Sequence, residues 1–202
     1  MSSISVAGDV SGAISIAAPS AAGSGVLTLP TGTDTLVGKA TTDTLTNKSI
    51  AATQLTGTIA ASALPAGSVL QVVNATYSTL TAVSSATYAD TGLTATITPK
   101  FNTSKILVLV SQSGINATTA ANGTNVQLLR GASILSVFAV AYGYGTVNAN
   151  APCGASVCYL DSPATTSSTT YKTQFARYGG SGQVQVQDNS DMSTITLMEI
   201  AG

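Results

Sequence analysis

The chain has 202 residues, contains no His and no Trp, and is charged at only 7% of its positions, for a formal net charge of −1. Without His, Ser-His-Asp and Cys-His arrangements are impossible and the commonest general base is missing. Seven scattered basic residues leave no electrostatic footprint for nucleic acid.

Disorder is also excluded, because 44% of the residues are hydrophobic and disordered chains are poor in such residues. The 31 Thr and 25 Ser, with many Val and Ile, point to β-structure. Two heavy atoms on Cβ stiffen χ1 and suit a pleated surface better than a helix. With 19 Gly and 6 Pro as punctuation, the elements should be short and turn-rich. So little charge also removes the usual solubility device of a monomer, which points to self-association or a place in a large assembly.

Taken in chain order, the first 67 residues have no aromatic side chain, since all ten Tyr and Phe lie from Tyr77 onward. Aromatics dominate core energetics, so residues 1–67 should not form a globular domain alone. They repeat short units instead, such as Val26-Leu27-Thr28-Leu29-Pro30 and Thr35-Leu36-Val37-Gly38. Leu27, Leu36, Leu45, Leu55 and Leu64 recur every nine or ten residues. Small units of this kind must stack or find partner chains to bury their apolar side. A flexible linker is the competing reading of the composition. A brief helix is conceivable between Lys48 and Ala63, weakened by Thr56, Gly57, Thr58 and Ile59. The N-terminus lacks the basic and apolar regions of a secretory signal, so synthesis without export by that route is expected.

From Val69 onward, strand-like runs follow one another at Val69–Val73, Ala82–Tyr88, Thr94–Thr98, Ile106–Ser111 and Val126–Leu129. They continue at Ile134–Tyr142, Ser156–Leu160, Tyr171–Ala176, Val184–Gln187 and Thr194–Ile200. Gln183 to Gln187 alternates strictly, as a strand with one wet face should. Ile106-Leu107-Val108-Leu109-Val110 does not alternate, and needs apolar neighbours on both faces. Arg130-Gly131-Ala132-Ser133 reads as a hairpin turn. The longest apolar run, Ile134–Tyr142, falls far short of the ~20 residues of a membrane span. The expected fold is all-β: an extended N-terminal region, 1–67, followed by an antiparallel β-sandwich of jelly-roll type over 68–202.

Leu64-Pro65-Ala66-Gly67-Ser68-Val69-Leu70-Gln71-Val72-Val73 resembles the junction that opens the C-terminal domains of phage tail-fibre-like proteins. Tyr159-Leu160-Asp161-Ser162-Pro163-Ala164-Thr165-Thr166, Thr170-Tyr171-Lys172 and Ile195-Thr196-Leu197-Met198-Glu199-Ile200 resemble later landmarks of that group. Thr44-Leu45-Thr46-Asn47-Lys48-Ser49 is similar to a segment found upstream in phage virion proteins. The resemblance implies an intertwined homotrimeric fibre, anchored to the virion through its N-terminal region, with a distal head that meets a host glycan or protein. A capsid-decoration or head-fibre protein without receptor binding is the alternative. A carbohydrate-binding adhesin module is a second one, disfavoured by the missing Trp platform.

The chemistry inventory points to a non-enzyme without metal or cofactor. The acids are dispersed, Asp188 and Asp191 being the only close pair, so a glycosidase-like carboxylate pair has little support. Asp188 to Glu199 has the length of a calcium loop, but Ser193 replaces the turn glycine and Met192 a ligand. Cys153 and Cys158 could close a small disulfide, but an unexported chain favours free thiols. The leading candidates for receptor contact are Tyr142 and Tyr144, with Asn148 and Asn150 just beyond. Tyrosine gives broad contact at low entropic cost, and asparagine hydrogen-bonds sugars. Asn116 and Asn122, in a polar loop, are weaker candidates, and Tyr178 to Gly182 weaker still.

Overall fold

The computed structural model of the chain describes residues 3–7, 13–17, 49–51, 57, 59–145 and 151–202. It divides into two compact units, Met1–Thr56 and Gly57–Gly202. In the first, β1 (Ser3–Ala7) pairs antiparallel with β2 (Ala13–Ala17), placing Ile4 opposite Ile16 and Val6 opposite Ile14. The leucine-spaced units from Leu27 to Leu55 lie outside the described residues. Of the helix weighed between Lys48 and Ala63, the described residues hold one 3-10 turn, Ala61–Ala63. Gly57, at φ +98°, has a backbone that no helix accommodates.

The second unit is all-β. Its strands are β3 (Val69–Tyr77), β4 (Thr81–Val83), β5 (Ala89–Ile97), β6 (Lys105–Ala117) and β7 (Gly123–Arg130). They continue with β8 (Ser133–Tyr142), β9 (Cys153–Asp161), β10 (Thr169–Tyr178), β11 (Val184–Val186) and β12 (Ser193–Ile200). One sheet runs β5-β10-β7-β8. The other runs β3-β12-β6-β11-β4, with β9 on the free side of β6. The 13-residue β6 makes this arrangement possible: β12 pairs with its first half and β11 with its end. Counting β3/β4 and β11/β12 as one interrupted strand each gives eight strands, paired first with last, second with seventh, third with sixth and fourth with fifth. That nesting of antiparallel pairs is a jelly roll. The run Ala82–Tyr88 forms a strand only at Thr81–Val83, because Ser84 and Ser85 carbonyls leave the ladder to accept from Arg177.

Alternation sets the layers. In β5, Leu93, Ala95 and Ile97 point inward while Thr94 and Thr96 stay exposed. In β12, Ile195 and Leu197 are fully buried between half-exposed Thr194, Thr196 and Met198. Each fully buried Leu or Ile contributes about 1.5–3 kcal/mol relative to exposure. The core is nevertheless two clusters. One gathers Leu93, Ile106, Val108, Tyr171 and Leu197, and the other Ile115, Val126, Phe175, Val184 and Val186.

Between the two clusters a polar layer crosses the sandwich. Thr91 Oγ1 lies 2.6 Å from Thr173 Oγ1, which donates to Gln112 Oε1 at 2.9 Å. Gln112 Nε2 and Gln187 Nε2 donate to Ser193 Oγ at 2.9 and 3.0 Å, and the Ser113 amide joins them at 2.9 Å. All five side chains are buried. Ser193→Ala deletes one oxygen and strands three donors, two of them buried. It should cost about 1–3 kcal/mol in a urea titration followed by circular dichroism, whereas an unchanged midpoint would mean that the layer adds nothing.

The sheets are also tied at the corner where the chain enters and leaves the sandwich. Asp161, on β9, accepts from both Arg130 Nη1, at 2.7 Å, and Tyr171 Oη, at 2.6 Å. Burial, reinforced by the Asp161 carboxylate, pushes the Tyr171 phenol far up. Nearby, buried Glu199 accepts from the Lys100 amide at 2.7 Å and from Gln71 Nε2 at 2.5 Å. Burial would raise its carboxyl, but the donors that face it, Gln71 Nε2 and the Lys100 amide among them, outweigh that and hold it low. A carboxylate held low contributes stability that is present above its unfolded-state value, about 4.3, and lost as acid protonates the folded form. Stability should therefore decline below about pH 5, and Glu199→Gln should flatten that acid limb in melts recorded across pH.

Candidate binding surface

Register locates the two ends of the sandwich. Val69, Ile200 and Lys105 lie side by side, and Ile106 faces Asp161, which defines the entry end. There the Gly67 amide donates to the Ala201 carbonyl and the Ala201 amide to the Ser68 carbonyl, both at 2.8 Å. The strands that start there finish at the far end, where β6 stops at Ala117, β8 at Tyr142 and β10 at Tyr178. The Arg130-Ser133 hairpin closes the entry end as expected, with Gly131 at φ +57°.

At the far end three tyrosines are exposed. Tyr142 is 38%, Tyr144 51% and Tyr178 45% accessible. A β-bulge aims the first of them: between Val126↔Ala139 and Thr124↔Tyr142, β8 has one residue more than β7. The bulged strand bends, Ala141 takes φ +53°, and its amide is held by Asn125 Oδ1 at 2.9 Å. Gly123 makes room for the bulge, since a Cβ there would sit 2.9 Å from the Ala141 carbonyl carbon. Tyr142 Oη then donates to the Gly154 carbonyl at 2.9 Å, while the residue stays exposed. Tyr144 packs against Tyr178 edge to face, with ring centroids 6.2 Å apart and planes at 78°. Tyr178 reaches this place through β10, opposite Gly123. The proximity of Tyr178 to Tyr144 follows from strand register. Only the shared tyrosine-glycine pattern, Tyr142-Gly143-Tyr144-Gly145 and Tyr178-Gly179-Gly180, hinted at it in the chain.

Two expected contact residues are corrected. Asn116 and Asn122 are 1% and 0% exposed. The Asn116 amide donates to Asp188 Oδ2 at 2.8 Å, and the Asn122 amide donates to the Ser181 carbonyl at 3.0 Å. Both brace loops from inside, Asn116 by holding a carboxylate and Asn122 by supplying a donor to a carbonyl that has left the ladder. Asn148 and Asn150 lie outside the described residues. Cys153 and Cys158 are free thiols. They are five residues apart on one strand, β9, so they point to opposite faces about 16 Å apart, far beyond disulfide reach. Cys153 packs on the second core cluster, where burial raises its thiol, and donates to the Ile115 carbonyl at 3.2 Å.

This end offers rings, hydroxyls and backbone carbonyls. Arg177, the nearest cation, is occupied by the carbonyls of Ser84, Gly179 and Gly180. Among the described residues no group of three His, Cys, Asp or Glu is placed to hold a metal. Such a surface suits contact with uncharged, hydroxyl-bearing partners. Tyr142→Phe loses one partly exposed hydrogen bond and should cost about 0.5–1.5 kcal/mol in thermal melts. Tyr144→Ala, which ends the edge-to-face pair, should cost about the same.

No family model and no curated protein matches the chain. Among solved structures, the infectious bursal disease virus VP2 subviral particle aligns with a TM-score of 0.42 and 10% identity, over 65% of this chain and 33% of that one. The chain thus spans about a third of that neighbour, and at this level of similarity the match bears on neither role nor partners.

Proposed function

We propose that the chain is a non-catalytic structural protein of a phage particle, a homotrimeric tail fibre. In this reading the sandwich adsorbs to the host surface through Tyr142, Tyr144 and Tyr178, while the N-terminal region docks on the particle. The observation that carries it is the position of the three tyrosines at the end opposite the chain's entry into the sandwich, where a tethered head meets its target first. The fibre-like landmarks at Leu64–Val73 and Tyr159–Thr166 support the same reading. Several identical heads held together turn modest single-site affinity into avidity without new contacts.

Competition tests it. Excess purified full-length chain should block adsorption of the particle that carries it. Tyr142→Ala/Tyr144→Ala/Tyr178→Ala should lose at least tenfold in that competition while keeping its circular dichroism spectrum. Equal competition by the triple variant overturns the tyrosine surface. Antibody decoration of the capsid instead of the tail overturns the tail assignment.

A further inference from the structure

We infer that copies of this chain associate through the outer face of the β3-β12-β6-β9 sheet. This deepens the trimeric part of the proposed function and is independent of adsorption.

Three rows of side chains cross that face in register. The first is Val72, Met198, Leu107 and Leu160, one large apolar residue on each of four neighbouring strands. The next is Asn74, Thr196, Leu109 and Cys158, and the third Thr76, Thr194, Ser111 and Ser156. Val72 and Leu160 are 53% and 52% exposed, and Leu109 36%. Over Leu109 and Cys158 the surface dips into a depression of about 290 Å³. An apolar row spanning a whole sheet is not the scattered exposure common on monomers.

The second copy is singled out by charge. The three rows contain no Lys, Arg, Asp or Glu, and Lys105 stands just beyond them at the entry end of β6, so a copy meets the rows themselves without like-charge repulsion and a charged partner finds no pairing group within them. Thr and Ser hydroxyls and the Asn74 amide both donate and accept, so they pair with the hydroxyls of a second copy without needing a charged partner. The opposite sheet is different: its outer face carries Asp90, paired with Lys172 at 2.8 Å and bound by Gln174, which accepts from Gln127 at 3.0 Å. The chain also supplies a second patch. Ile134, Val137 and Val140 stand exposed on β8, at 59%, 47% and 62%. β8 lies at the edge of its sheet and packs across the sandwich from β9, so this strip stands on the outer face of the opposite sheet, along the same edge of the sandwich. A closed ring needs two such patches, since each subunit gives one and receives on the other.

Light scattering on the full chain, with thiol footprinting, tests the inference. The wild type should be oligomeric. Its Cys158 should react with iodoacetamide at least tenfold more slowly than in the urea-unfolded chain, read by peptide mass spectrometry. Leu109→Glu and, separately, Leu160→Glu should yield monomers with an unchanged circular dichroism spectrum and a fast Cys158. An oligomer whose Cys158 reacts freely, or that persists in both folded variants, overturns this face while leaving the trimeric reading standing. A monomeric wild type overturns both, and a monomer with a protected Cys158 means that the chain's own segment covers the face. If the variants fail to fold, the wild-type footprint alone decides.

Discussion

Every strand of a sandwich has two faces, and this chain has almost no charge to place on the outer one. The inner face is solved by alternation, with Leu93, Ile97, Val108, Ile195 and Leu197 meeting between the sheets. The outer face is built largely from hydroxyls, such as Thr94, Thr96, Thr194 and Thr196, which fit a pleat and solvate without charge. The rest of the architecture works within that constraint. Charges are spent in few places: Arg130 with Asp161 at the entry corner, Lys172 with Asp90 on one outer face, and Glu199 within its cage of donors. Where neither hydroxyl nor charge stands on the outside, as along Val72 to Leu160, the sheet is left apolar.

The buried polar layer has a different role from the apolar clusters it separates. Apolar contacts tolerate sliding by two residues, which keeps the same faces inward. A chain of hydrogen bonds from Thr91 to Ser193 does not, because each partner has a single geometry that satisfies it. The layer joins β5, β10, β6 and β12, so it fixes the register of both sheets against each other. Ser193 is the hub, and its small size lets three donors converge.

Much of the sandwich was legible in the chain because period-two alternation survives wherever one face is buried. The runs at Thr94, Ile106, Val126, Tyr171 and Thr194 all lie in observed strands, and Arg130 to Ser133 is the turn it resembles. What failed had physical reasons. Asn116 and Asn122 read as surface residues because they are polar, yet a carboxylate, Asp188, and a loop carbonyl, that of Ser181, recruit them as donors from within. Gln112, Thr173 and Ser193 sit in ordinary alternating runs, so nothing local marks them as one network. Tyr178 joins Tyr144 only through the register of β10 on β7. The non-alternating run from Ile106 to Val110 asked for apolar neighbours on both sides. Its inner half has them, while Leu107 and Leu109 face outward, the first half-exposed and the second exposed.

The corner where Ser68 and Gly67 are bound to Ala201 has a mechanical consequence. The chain enters along β3, whose full length is hydrogen-bonded to β12, and the exposed tyrosines lie at the opposite end. In the proposed fibre, a pull between the N-terminal side and a target held at the tyrosine end would run parallel to the β3–β12 ladder and perpendicular to its bonds. Loaded in shear, the bonds of the ladder share the force and must fail together, whereas a pull across the ladder would unzip them one at a time.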